Sequence, residues 1–131
     1  MDGKNYLLDT NIVIGLFASD PVIVAKIRST LGIIAIPIIV IGELFYGAEL
    51  SSKRDENKRR INELAETSII FYCDLDIAGR YAEIKSQLKV KWTSIPENDF
   101  WIAAMAEQHQ VTLASRDAHF NNIDTLSLEK W

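Results

Sequence analysis

The stretch Tyr6-Leu7-Leu8-Asp9-Thr10-Asn11-Ile12-Val13-Ile14 decides the fold. Its apolar start reads as a short strand over residues 5–8, and Thr10-Asn11 open a helix that runs through Phe17. Asp9 sits at the junction, directly after the strand. In an open parallel sheet, the carboxyl ends of the strands line the crevice where ligands bind. One junction of this kind proves little, so the rest of the chain has to be read in its light.

The same alternation continues outward. Asp20-Pro21 is a helix start, with Asp as cap and Pro in the first turn. Gly32 ends that helix, and the β-branched run 33–36 follows as a buried strand. A helix over 38–50 carries Glu43, and a strongly charged helix over 54–66 keeps Ile61, Leu64 and Ala65 as its apolar stripe. Residues 68–73 return as a strand. From Asp76, the apolar residues Ile77, Tyr81, Ile84 and Leu88 recur at helical spacing. A helix over 98–109 follows Pro96, then a strand over 111–115 and a short one over 125–128. Strands separated by single helices favour a parallel sheet covered on both faces. The expectation is an α/β fold, a single three-layer α/β/α domain over 1–131 with a mainly parallel central sheet.

Composition narrows the functional classes. With 48% hydrophobic and 24% charged residues, the chain can build an ordinary core and is not disordered. No apolar run reaches the ~20 residues of a membrane span, and the opening MDGKNYLLDTN has neither the cationic flank nor the apolar core of a signal peptide. Cys73 is the only cysteine, which rules out an internal disulfide, and its place in SIIFYC predicts a small buried hydrophobe. These features point to the cytoplasm. A net charge of −4 argues against broad attraction to nucleic acid through overall charge, although a local basic face and bound cations can supply it.

Four acids stand out. Asp9 and Asp117 each follow an apolar strand, and Asp99 sits in the first turn of a helix, where the helix dipole favours an anion. Each has an ordinary alternative: Asp9 and Asp99 as helix caps, Asp117 as a turn residue. Glu43 is different, because it lies among Ile38, Ile39, Val40, Ile41, Leu44 and Phe45 with no Lys or Arg three or four residues away. If the four converge, two bare carboxylates ~4 Å apart repel by ~4 kcal/mol at an effective dielectric of ~20. Protonation or a divalent cation must relieve that. Ligands that are all oxygen favour Mg²⁺ or Mn²⁺. His109 and His119 lack ligand spacing; His109 reads as a helix-end residue and His119 as a packing or hydrogen-bonding one.

Taken together, YLLDTNIVI, IGELFYGAELS, SIPENDFWIAAMA and LASRDAHFNNIDTLSLEKW resemble the PIN-domain family, and within it the VapC toxins of bacterial type II toxin–antitoxin modules. The resemblance covers nearly the whole chain, down to the LEKW ending. It departs in the loop of Val90, Lys91, Trp92, Thr93 and Ser94, where relatives often carry a Gly, and at Ser115, where they often carry Thr.

The resemblance implies an endoribonuclease acting on structured RNA (tRNA, rRNA or mRNA) with Mg²⁺ or Mn²⁺. It implies that Asp9, Asp99 and Asp117 hold the metal, and that Glu43 holds a second ion or orients the attacking water. Thr10, Asn11 and Ser115 would orient the carboxylates. It also implies a homodimer and a small cognate VapB-like antitoxin. For holding RNA, the candidates are Arg116 beside Asp117 and the cluster Lys53, Arg54, Lys58, Arg59 and Arg60, which reads equally well as a solvated, salt-bridged helix face. A haloacid-dehalogenase phosphatase would want an Asp where Asn11 stands, a silent RNA-binding relative would lack one of the acids, and there is no P-loop or GxGxxG.

Overall fold

A computed structural model describes residues 3–91 and 94–131; Trp92 and Thr93, in the loop that departs from the family pattern, lie outside the described residues. At its centre is β1 (Tyr6–Leu8), with all three residues buried. After α1 (Thr10–Phe17) and α2 (Pro21–Ser29) the chain returns as β2 (Ile34–Pro37) on one side of β1. α3 (Ile38–Glu49) and α4 (Arg54–Thr67) lead to β3 (Ile69–Phe71) beside β2. α5 (Leu75–Val90) and α6 (Glu97–His109) then carry the chain back across to β4 (Thr112–Ala114), on the other flank of β1. A 3-10 turn (Ala118–Asn122) leads to β5 (Leu128–Glu129) at the edge.

The sheet order is β3-β2-β1-β4-β5, with every pair parallel. Right-handed crossovers that run first one way and then the other place their helices on opposite faces. The reversal falls between β1 and β4, and the crevice at such a switch point is where an open α/β sheet binds its ligand. Asp9 and Asp117 come from those two strands.

Burial explains the helices. α6 is apolar on several faces, as the sequence suggests, and Ile102, Ala103, Ala104, Met105 and Ala106 have no solvent exposure. On α5, Ile77, Ile84 and Leu88 face the core at the expected spacing. Asp20 caps α2 by accepting the N–H groups of Val22 and Ile23, with Pro21 in the first turn. Gly32 lets two backbones meet: a Cβ there would lie 2.2 Å from the carbonyl oxygen of Lys4.

Two expectations are corrected. β5 is formed by Leu128–Glu129, not by 125–128, because residues up to Leu126 are spent in turns. Its register is pinned by Tyr6, whose hydroxyl donates to Glu129 at 2.9 Å and whose ring meets Trp131 edge-on at 4.9 Å. β3 stops at Phe71, and Cys73 lies beyond it, exposed, in the link to α5. Among the described residues no single helix is long and apolar enough to cross a membrane.

Candidate active site

Asp9 leaves β1 with its amide still bonded to the Ala114 carbonyl of β4, so its side chain starts at the carboxyl end of the sheet. One carboxylate oxygen accepts the N–H of Thr10 at 2.8 Å, capping α1. The other accepts the Ser115 hydroxyl at 2.7 Å. The capping reading was therefore right but incomplete, since one oxygen caps and the other faces the next strand. Asp117 repeats the pattern, accepting the N–H of His119 at 2.9 Å at the start of the 3-10 turn.

Asp99 does not cap its helix. Pro96 stands at the cap of α6, and Asp99 lies one turn in, 7% exposed, with its Oδ2 buried and without a hydrogen-bond partner. Burial, and then the charges of Asp9 and Asp117, push its carboxyl up to about 7. Asp9 is also raised, chiefly by burial, against the pull of its bonds to Ser115 and Thr10. Glu43 is half-buried on α3 and held from both sides: Thr10 Oγ1 donates to one oxygen at 2.6 Å, and the side-chain amide of Asn98 donates to the other at 3.1 Å. The four acids thus share one crevice, and their charges act on one another.

The supporting residues divide. Thr10 and Ser115 bond the carboxylates directly. Asn11 does not; it accepts the backbone N–H of Arg116 at 3.2 Å and so fastens the loop that bears Asp117. The Arg116 guanidinium turns from the acids, donating to the Trp131 carbonyl at 2.5 Å and to Asp20 at 3.0 Å. Lys53 and Arg54 line a separate hollow with Glu49, to which Arg54 and Lys58 pair. A different basic residue, Arg60, shares with Glu43 a cavity of about 280 Å³ between α1, α3 and α4. It lies over the Phe17 ring and donates to the Phe17 carbonyl.

Sequence reasoning missed Asn98 as a Glu43 partner and did not place His119 beside the acids. Asn98 was visible as the residue next to Asp99. The imidazole of His119 stands 2.8 Å from Asp117 and 3.6 Å from Asp99. Neither contact follows from spacing.

The donor set fits a divalent cation. A buried carboxylate oxygen without a partner, among three further acids that raise its pKa, is stabilised by a positive ion in the crevice. Asp99, Asp117 and His119 offer atoms all within 4.8 Å of one another.

A parallel sheet with an acidic crevice at its switch point is an α/β domain whose site could hold a divalent cation, and its relatives show of which kind it is. Residues 6–126 match the PIN domain. The chain is 31% identical to Ribonuclease VapC2 of Haemophilus influenzae over 128 residues, covering 96% of this chain and 97% of that one. It superposes with a TM-score of 0.87 on VapBC-1 from nontypeable Haemophilus influenzae, at 30% identity, over 97% of this chain and 98% of that one. VapBC2 from Rickettsia felis, solved with a DNA fragment from its promoter, gives the same score at 28% identity and the same coverage. The chain belongs to the PIN-domain family, among the VapC-type ribonuclease toxins of type II toxin–antitoxin systems.

Proposed function

We propose that this toxin is an endoribonuclease dependent on Mg²⁺ or Mn²⁺, acting on structured RNA in the cytoplasm and restrained by a VapB-like antitoxin. The observation that carries the metal reading is the buried, unpartnered Oδ2 of Asp99 beside Asp9 and Asp117. Matches to VapBC complexes support the antitoxin, and a homodimer is the arrangement we expect.

When bound, a divalent cation neutralises the scissile phosphate and makes water a better nucleophile near neutral pH. Asp9, Asp99 and Asp117 hold it. Ser115 and Thr10 fix the rotamer of Asp9, so its carboxylate need not reorganise as charge develops. Glu43, whose oxygens already accept from Thr10 and Asn98, is oriented to align the attacking water and accept its proton. In-line attack by water on phosphorus breaks the bond to the 3′-oxygen and leaves a 5′-phosphate and a 3′-hydroxyl. No 2′-hydroxyl nucleophile takes part. For gripping the RNA, Arg60 at the rim of the Glu43 cavity is better placed than Arg54, which pairs with Glu49 and Asp55, and than Lys53, which lines the separate hollow.

Antitoxin-free protein should cut a panel of purified tRNAs and rRNA fragments with Mg²⁺ or Mn²⁺, and lose the cuts in EDTA and in Asp9→Asn. Cuts that survive both treatments would overturn the mechanism.

A further inference from the structure

We propose that His119 is a direct ligand of the cation, beside Asp99 and Asp117, and that its nitrogen tilts the centre toward Mn²⁺ over Mg²⁺. The proposal rests on the metal reading above and goes beyond it, because it makes the donor set one that is not all oxygen.

The local fold aims the ring. Asp117 accepts the backbone N–H of His119 at 2.9 Å, and this bond starts the 3-10 turn Ala118–Asn122 and folds the His119 side chain back over Asp117. Nδ1 then stands 2.8 Å from Asp117 Oδ1 and 3.6 Å from Asp99 Oδ2. Ligand atoms about 2.1 Å from one ion lie about 3 Å apart when adjacent and about 4 Å apart when opposite. The three donors, all within 4.8 Å of one another, need only small side-chain rotations to reach those separations.

A second, independent feature calls for an ion at this spot. The Asp99 side chain is 10% exposed, and its Oδ2 has no hydrogen-bond partner although it points toward the His119 ring. An ion between them satisfies that oxygen and takes Nδ1 of the neutral ring with its proton on Nε2, replacing the contact in which a protonated Nδ1 faces Asp117. The His119 side chain is 49% exposed, so its outer edge can stay hydrated while the inner nitrogen binds.

The consequence is selectivity. Mg²⁺ prefers oxygen ligands and holds its waters tightly, whereas first-row transition ions accept imidazole readily. His119 therefore adds more to Mn²⁺ affinity than to Mg²⁺ affinity.

The test is pulsed electron paramagnetic resonance of the full-length, Mn²⁺-loaded protein, with calorimetric titration of Mn²⁺ and of Mg²⁺. The wild type should show the modulation of a coordinated imidazole nitrogen, changing with ¹⁵N-histidine labelling and vanishing in His119→Gln. That variant should lose about tenfold in Mn²⁺ affinity and much less in Mg²⁺ affinity. His109 cannot supply the signal, since it lies ten residues along α6 from Asp99, roughly 15 Å away. Mn²⁺ bound by wild type, lost in Asp99→Asn, yet without nitrogen coupling would overturn the His119 proposal and leave the metal reading standing. Equal losses for the two ions in His119→Gln would overturn the selectivity. Failure of the wild type to bind Mn²⁺ at all would overturn both.

Discussion

The hydroxyl of Ser115 joins two acids from neighbouring strands: it donates to Asp9 Oδ2 at 2.7 Å and accepts the amide N–H of Asp117 at 2.9 Å. One small side chain thereby sets the distance between β1's acid and β4's. Ser115→Ala should remove a bond that holds the Asp9 carboxyl down and leave burial to raise it further. Metal affinity and kcat/KM at pH 7 should fall by about 10- to 100-fold, as for other groups that orient metal ligands. Ser115→Thr keeps the hydroxyl and should stay within a few-fold, by titration and by cleavage of a fluorogenic RNA.

The pH behaviour of the metal-free protein follows from Asp99. Its carboxyl titrates near 7 when folded and near the ordinary 3.8 when unfolded, so the folded chain holds the extra proton between those values. Stability should therefore fall as pH rises from about 4 to about 7 and level off above, with Asp9 adding in the same direction. Thermal melts in EDTA should show this slope, and Asp99→Asn should flatten it. Saturating Mn²⁺ should offset the stability lost by pH 7, because the bound ion takes the place of the proton. Cation affinity should rise with pH up to about 7 and then become constant.

Glu43 is oriented by two donors from different elements, Thr10 of α1 and Asn98 of α6. Losing either leaves one oxygen free to rotate. Asn98→Ala and Thr10→Val should each lower kcat about tenfold with little change in KM, and together by less than the product, since both act through one carboxylate. Steady-state kinetics on a defined RNA would reveal the pattern.

Arg116 ties the Asp117 loop to α2 and to the last strand segment, through Asp20 and the Trp131 carbonyl. Arg116→Ala and Asp20→Asn should each lower the melting temperature, and the double variant should add little to the larger single effect. A rise in KM and a weaker salt dependence in Arg116→Ala, without a change in melting, would instead mark a phosphate contact.

Gly32→Ala should destabilise by about 1–3 kcal/mol, because the clash falls on the Lys4 backbone and cannot be relieved by a rotamer change. Urea denaturation should show a lower midpoint at an unchanged slope.

The legible part of this fold was its rhythm. Apolar strands followed by Asp, helices started by Asp20-Pro21 and by Pro96, and the odd Glu43 on an apolar helix were enough to expect the parallel sheet and to single out four acids. What sequence could not give was orientation. Arg116 adjoins Asp117 in the chain, yet its guanidinium faces the other way, because Asp20 and Trp131 draw it off. His119 lacks any ligand spacing, since its approach to Asp99 is made by a 3-10 turn and a distant helix. Cys73 looked buried because strand length is hard to judge from apolar residues alone, and β3 ends two residues earlier.

The acids come from positions 9, 43, 99 and 117, and Asp9 and Asp117 are brought together only when β4 docks against β1. Any nascent chain that has not yet delivered β4 has at most a scattered set of carboxylates and no cutting centre. On the function proposed above, the centre is therefore completed by one of the last strands to be made.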